Sequence, residues 1–418
     1  MANLSMTRGI VVEKHDLKKS NYTIALVSLA VLYFMMGLIT CLNDTLVPFF
    51  KNGFKLSYAE SSLVQFYFFL TYGIMSIPAG SIVEKIGYKK GMVLGFTIAA
   101  IGAFLFIPAS LMHQYILFLA ALFIIAIGIV LLQVAANPYV TILGPARTAS
   151  SRLTMVQGVG SIGTTVAPLL GAYFILSRIK ESQTSSQAVR TPYIIIGAVL
   201  LLIAFIVYRL KLPSIKAGSE NRNDLKIQEV TSAFSYRNLN FGIAAIFLYV
   251  GAEVSIGTFL TNYISDSLKI DVHQANRYVA FYWGSMLAGR LIGSFLLRTL
   301  KPSVVLRVCA LCAVFLIVVS ITSSGPLAIW SMITVGLCNS IMFATIFSLS
   351  VNGLGKHTTK ASGLLSTSIV GGAIISFTVG LLKDNFTWPI AFALPAICYL
   401  YIFFYGANGY RSKYSATY

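Results

Sequence analysis

Acidic side chains are scarce in this chain. Its 418 residues carry only 13 Asp and Glu, 4 His and 3 Trp, and charged residues make up 11% of the whole. A soluble domain carries about 25% charged residues, so this balance excludes an ordinary water-surrounded fold. The four histidines (His15, His113, His273, His357) fall in loops or at the ends of apolar runs, which argues against a histidine proton relay. The five cysteines (Cys41, Cys309, Cys312, Cys338, Cys398) all sit in apolar stretches and read as small buried hydrophobes. Cys309 and Cys312 have a redox or zinc spacing, but no second pair accompanies them, so no metal site is expected. Phosphate-binding loops and nucleophile triads are also missing, and the loop near 209–237 is the only long polar segment between the apolar runs. That leaves no room for a catalytic or ATP-hydrolysing domain, and no cofactor is expected.

What is present is hydrophobic length. Twelve apolar runs lie near 21–50, 58–83, 91–111, 115–143, 153–176, 192–209, 239–264, 275–297, 303–323, 326–350, 361–383 and 389–409. A helix needs about 20 apolar residues to cross a bilayer, and backbone inside lipid must satisfy itself by helix formation. The expected fold is therefore an all-α membrane protein of twelve transmembrane helices in two six-helix bundles. Residues 1–210 form the first bundle, 211–237 a linker, and 238–418 the second. No cleavable signal peptide is apparent, because the first apolar run is too long for one.

The net charge of +18 invites a nucleic-acid reading, but its distribution opposes that. If the N-terminus is inside, most Lys and Arg fall on cytoplasmic loops and ends, as the positive-inside rule requires. Both termini are then cytoplasmic, and anionic lipids are the neighbours of those cations. A monomer is expected.

The loop after the second run reads Gly80-Ser-Ile-Val-Glu84-Lys85-Ile-Gly87-Tyr-Lys89-Lys90. It resembles the signature of the major facilitator superfamily. Gly80 is expected to let two helices approach, Glu84 to pair across the bundles on the closed cytoplasmic side, and Lys85, Gly87 and Lys89 to complete the gate. Gly293-Ser294 with Arg298 repeats the pattern faintly in the other half, consistent with two related bundles.

Carboxylates inside spans mark function by default, because burying them in lipid is expensive. Asp44, beside Asn43, and Glu253 are the two that fall well inside. They are the candidates for proton coupling. Gln133 and Asn137, four residues apart, share a helix face and offer neutral donors and acceptors suited to sugar hydroxyls. Gln157, Tyr282, Trp283 and Asn339, together with Asn43, complete the candidate cargo contacts. Arg290 is expected to close an ion pair with a carboxylate such as Glu253 and to belong to the gate.

Taken together, several stretches resemble the fucose–galactose–glucose permease branch of that superfamily. They are Gly37…Asn43-Asp44…Pro48, Gln133-Val-Ala-Ala-Asn-Pro-Tyr139, Tyr249-Val-Gly-Ala-Glu253-Val-Ser-Ile-Gly257, Gly336-Leu-Cys-Asn through His357, and Gly363 to Ile374. The resemblance implies a bacterial inner-membrane symporter of a hexose-type sugar and a proton. It implies that Asp44 is the proton-linked aspartate and that Gln157 touches sugar. Gln133 stands where the L-fucose symporter has glutamate, as in glucose/galactose-type members. Gly160 stands where the branch usually has Asn. A sugar uniporter is the nearest alternative. Gly163 to Gly171 is similar to a Gly/Pro stretch of antiporters, which keeps export of a small organic molecule open.

Overall fold

The computed structural model describes residues 26–40, 54, 58–171, 189–210, 233–270 and 272–411. Asn43 and Asp44, and most of the linker at 211–237, lie outside the described residues.

Each apolar run becomes a helical rod, and no strand occurs among the described residues. The first six rods are α1 (Leu26–Thr40), α2 (Tyr58–Ile86), α3 (Tyr88–Met112), α4 (Tyr115–Ile142), α5 (Ala149–Gly171) and α6 (Arg190–Arg209). The last six are α7 (Arg237–Leu268), α8 (Val272–Thr299), α9 (Pro302–Thr322), α10 (Pro326–Val351), α11 (Thr358–Asn385) and α12 (Trp388–Gly409). Ten of these are long and apolar enough to cross a membrane, while α1 is shorter as described. Successive rods alternate in direction. The turns at Gly87, at 143–148, at 300–301 and at 352–357 therefore share one end of the bundle with the linker, called the linker end below.

Lipid gives apolar side chains no reason to prefer a neighbouring helix, so packing depends on close approach at small residues. The seam between α3 and α4 shows this. A Cβ added to Gly128 would come within 2.6 Å of the Ala99 backbone nitrogen, and one on Gly95 within 2.9 Å of the Gly128 carbonyl oxygen. At the α2–α3 turn, Gly87 has φ +83°, a conformation that favours glycine.

Helix ends in lipid leave carbonyls unpaired, and buried side chains cap two of them. Arg152, 9% exposed, donates from Nη2 to the Thr141 carbonyl (2.7 Å), from Nε to that of Val140 (3.2 Å) and from Nη1 to that of Pro145 (2.9 Å). It thereby closes the C-terminus of α4, where a cation is also favoured by the helix dipole. Asn238 of α7 does the same for α10, its amide nitrogen donating to the carbonyls of Leu349, Ser350 and Asn352. Arg152→Ala is expected to destabilise the protein by about 1.5–3 kcal/mol, the range for a hydrogen bond to a charged group. Thermal unfolding in detergent, with Arg152→Lys as the milder control, checks it.

The two sets of six rods meet along α2–α11, α4–α11, α5–α8 and α5–α10. At the linker end they are joined by hydroxyls. Tyr88 Oη and Thr359 Oγ1 lie 2.8 Å apart and the Oγ atoms of Ser150 and Ser348 2.5 Å apart. Ser151 donates to the Ser294 carbonyl at 2.5 Å, and Ser362 to that of Val134 at 3.1 Å. Gly80 and Gly363 face one another beside them.

Candidate functional site

Between the two sets of rods lies a cavity of about 320 Å³, within the range of about 300–1,000 Å³ usual for small-molecule sites. On one wall, α1 contributes Tyr33, Met36, Gly37 and Thr40, and α2 contributes Phe68, Phe69 and Tyr72. Gln133 and Asn137 come from α4, and Gln157, Gly160 and Thr164 from α5. On the other wall stand Tyr249, Val250 and Glu253 of α7, Arg290 of α8, Phe343 of α10 and Ile369 of α11.

The polar groups of this cavity are partly spoken for. Tyr33 Oη donates to Asn137 Oδ1, Tyr72 and Gln133 are hydrogen-bonded, and so are Tyr249 and Glu253. Arg290 donates from Nη1 to Ser161 Oγ, which donates in turn to the Gln157 carbonyl at 3.1 Å. Arg290 also interacts electrostatically with Glu253. Three atoms stay buried and unpartnered: Asn137 Nδ2, Gln157 Oε1 and Arg290 Nε. Two are donors and one is an acceptor. Buried polar atoms are normally paired, so each calls for a partner that enters the cavity. Six aromatic rings (Tyr33, Phe68, Phe69, Tyr72, Tyr249, Phe343) surround them.

Helices α1 and α5 touch beside the cavity. Gly37 packs against the Gly160 carbonyl, and a Cβ on Gly160 would stand 3.0 Å from the Tyr33 carbonyl oxygen. The missing amide at position 160 thus coincides with a close helix contact.

Residues 29–377 match the Major Facilitator Superfamily. The chain belongs to that superfamily. Within it, the fucose–galactose–glucose permease branch holds its relatives. It is 47% identical over 94% of its length to a glucose/galactose transporter of Brucella abortus, covering 96% of that protein. It is 32% identical over 94% of its length to the L-fucose-proton symporter of Escherichia coli, covering 95% of it. The crystal structure of a major facilitator transporter, FucP, in the outward conformation superposes with a TM-score of 0.84. That match has 30% identity and covers 93% of this chain and 99% of that one. Like its superfamily, the chain is a multi-pass membrane transporter and not an enzyme.

Not every candidate reaches the cavity of this facilitator. Gln133, Asn137, Gln157, Glu253 and Arg290 line it. Tyr282 and Asn339 are fully buried behind the wall, and Asn339 Nδ2 donates to Tyr282 Oη at 3.0 Å. Trp283 is 47% exposed, its ring edge-on to Tyr282 and packed over Gly257. On a helix, adjacent residues cannot share a face, so Tyr282 turned inward sends Trp283 outward.

The gate residues also differ in role. Glu84 and Lys85 are exposed at the end of α2, and the contact across the bundles is made by Tyr88 instead. Lys89 donates to the Tyr208 carbonyl at 2.7 Å, capping α6 within its own set of rods. Tyr33, Phe68, Phe69, Tyr72 and Phe343 line the cavity without having been singled out in the sequence. For Tyr33 a signal existed, since Tyr33, Gly37 and Thr40 recur at helical spacing just before Asp44.

Proposed function

We propose that the protein imports a hexose-type sugar, glucose/galactose or related, by proton symport across the bacterial inner membrane. The observation that carries this is the set of unpartnered Asn137, Gln157 and Arg290 atoms within a ring of aromatics. Neutral amides match sugar hydroxyls in both donor and acceptor sense, and aromatic faces suit the apolar faces of the ring. The names of the B. abortus and E. coli relatives support the same cargo class.

Residues 1–210 and 238–418 rock about the cavity as a monomer. The linker end is the cytoplasmic end, because its turns hold most of the cations. Asp44 and Glu253 carry the coupling proton. Thr40 lines the cavity, and Asp44 follows it four residues later in the sequence. Neutralising a carboxylate lowers the cost of closing apolar walls around it.

Uptake of a labelled panel (glucose, galactose, fucose, mannose, N-acetylglucosamine) into proteoliposomes tests this, with and without an acid-outside gradient. One sugar is expected to accumulate only with the gradient. Asp44→Asn should lose that accumulation while keeping exchange. Equilibration that ignores the gradient replaces symport with uniport. Failure of every sugar refutes the cargo class.

A further inference from the structure

A buried polar network runs from Tyr249 and Glu253 on the cavity wall to Asn339, Tyr282 and Tyr399 behind it. Tyr249 Oη donates to the Asn339 carbonyl at 3.0 Å and is also hydrogen-bonded to the Glu253 side chain. Tyr399 donates to Asn339 Oδ1 at 2.7 Å, and Asn339 Nδ2 donates to Tyr282, which donates to the Glu253 carbonyl at 3.2 Å. Asn339 is the last residue before a break in α10. The helix stops there and resumes at Met342.

The break rests on α8. Gly289 and Gly293 face Ser340 and Ile341, and a Cβ on Gly289 would come within 2.6 Å of Ser340 Cβ. Arg290, between those glycines, lines the cavity. Beyond the break, the segment Met342–Val351 carries Ser348, which bonds Ser150 in the linker-end seal. Hydrogen bonds therefore link Glu253 to Asn339 at the interruption in α10, and the segment of α10 beyond it carries a contact that holds the linker end shut.

Donor counting gives this path two settings. The Tyr249 hydroxyl has one proton. An ionised Glu253 competes for it with the Asn339 carbonyl, and the charged acceptor makes the stronger bond. A neutral Glu253 donates to Tyr249, which is then free to donate to Asn339. The other titratable groups around Glu253 are Arg290 and Tyr282 on α8, Tyr399 on α12, and Tyr33 and Tyr72 across the cavity. Only Arg290 among them is a cation. From α10 and α11 the cavity receives Phe343 and Ile369, which do not titrate.

We propose that the Tyr249–Asn339–Tyr399 network reports the state of Glu253 to the break in α10 and so sets the linker-end seal. Asn339 is then a positioning residue for transport and not a cargo ligand. The inference rests on the symport reading above.

Asn339→Ala and Tyr399→Phe test it, each in a Ser150→Cys/Ser348→Cys background. The readouts are galactose and glucose binding by calorimetry, uptake in proteoliposomes, and disulfide cross-linking across pH 5–8 against single-cysteine controls. With an added copper–phenanthroline oxidant, the parent's cross-linking yield is expected to change with pH beyond the thiol reactivity of the single-cysteine controls. Both variants should bind sugar within threefold of the parent and lose at least tenfold in uptake measured with the serines intact. Their cross-linking should change with pH only as far as the thiol reactivity of the single-cysteine controls does. A parallel loss of sugar affinity in Asn339→Ala, or an unchanged uptake and pH response in Tyr399→Phe, overturns the proposal. If no sugar binds even the parent, the cargo reading fails, while the pH response of cross-linking still decides the network.

Discussion

Arg290→Met is expected to abolish uptake, and adding Glu253→Gln to the same chain is expected to restore a stable fold. Glu253 and Arg290 are the charged pair of the cavity among the described residues. The two interact electrostatically and both are partly buried, so removing one leaves the other charge in the cavity without compensation, a loss whose upper bound is about 3–5 kcal/mol for a fully buried pair. The lower figure corresponds to about a hundredfold in the affected equilibrium. Removing both charges relieves that penalty, so the double variant should recover thermal stability, while sugar binding stays weakened by the loss of the Arg290 donor. Gradient-driven accumulation should remain lost, since Glu253 is assigned a share of the coupling. Thermal unfolding and binding of the single and double variants measure the interaction directly as a cycle. Additive losses would separate the two residues and refute the pairing.

Gly363→Val should be the second severe change, while Gly80→Ala should be nearly silent. The signature glycine in the α2–α3 stretch is Gly80, yet a Cβ there would meet Gly363 Cα and the Thr359 carbonyl at 3.4 Å, ordinary contact. On Gly363 the same atom would lie 2.8 Å from the Ser76 carbonyl oxygen, which belongs to helix backbone. A valine must push α2 and α11 apart, and overpacking of this kind costs about 1–3 kcal/mol. That strain falls on the α2–α11 contact seen with the linker end closed. Uptake by Gly363→Val should fall at least about tenfold, with Ser150 and Ser348 cysteines cross-linking poorly. Gly80→Ala should stay within about twofold of the parent. The reverse ranking would mean that the closing contact lies elsewhere.

Much of the fold is legible because the signal is hydrophobic length, which lipid demands of every spanning helix. The rods follow the apolar runs even where glycine or proline interrupts them. The breaks are another matter. α10 is interrupted after Asn339 with neither glycine nor proline at Ser340 or Ile341, so only tertiary contacts with Tyr249 and α8 account for it. At the site, Gln133, Asn137 and Gln157 stood out because amides are rare inside spans. Asn339 is as rare and yet lies behind the wall. Composition cannot tell an amide that meets cargo from one that satisfies a helix break, since both relieve unpaired groups in lipid. Nor did aromatics separate themselves: Phe68, Phe69 and Phe343 face the cavity, and Trp283 faces outward.

The seal at the linker end has a consequence for how the carrier keeps time. Tyr88, Ser150, Ser151 and Ser362 close it through hydroxyl and carbonyl partners. Contacts between neutral dipoles are not weakened by dissolved ions as exposed charge pairs are. Each contributes modestly, on the order of 1 kcal/mol. The latch is thus a row of small, independent increments, each adjustable by one methyl or one hydroxyl. The tempo of the cycle can drift over evolutionary time without disturbing what is carried, and it holds steady when the salinity of the surroundings does not.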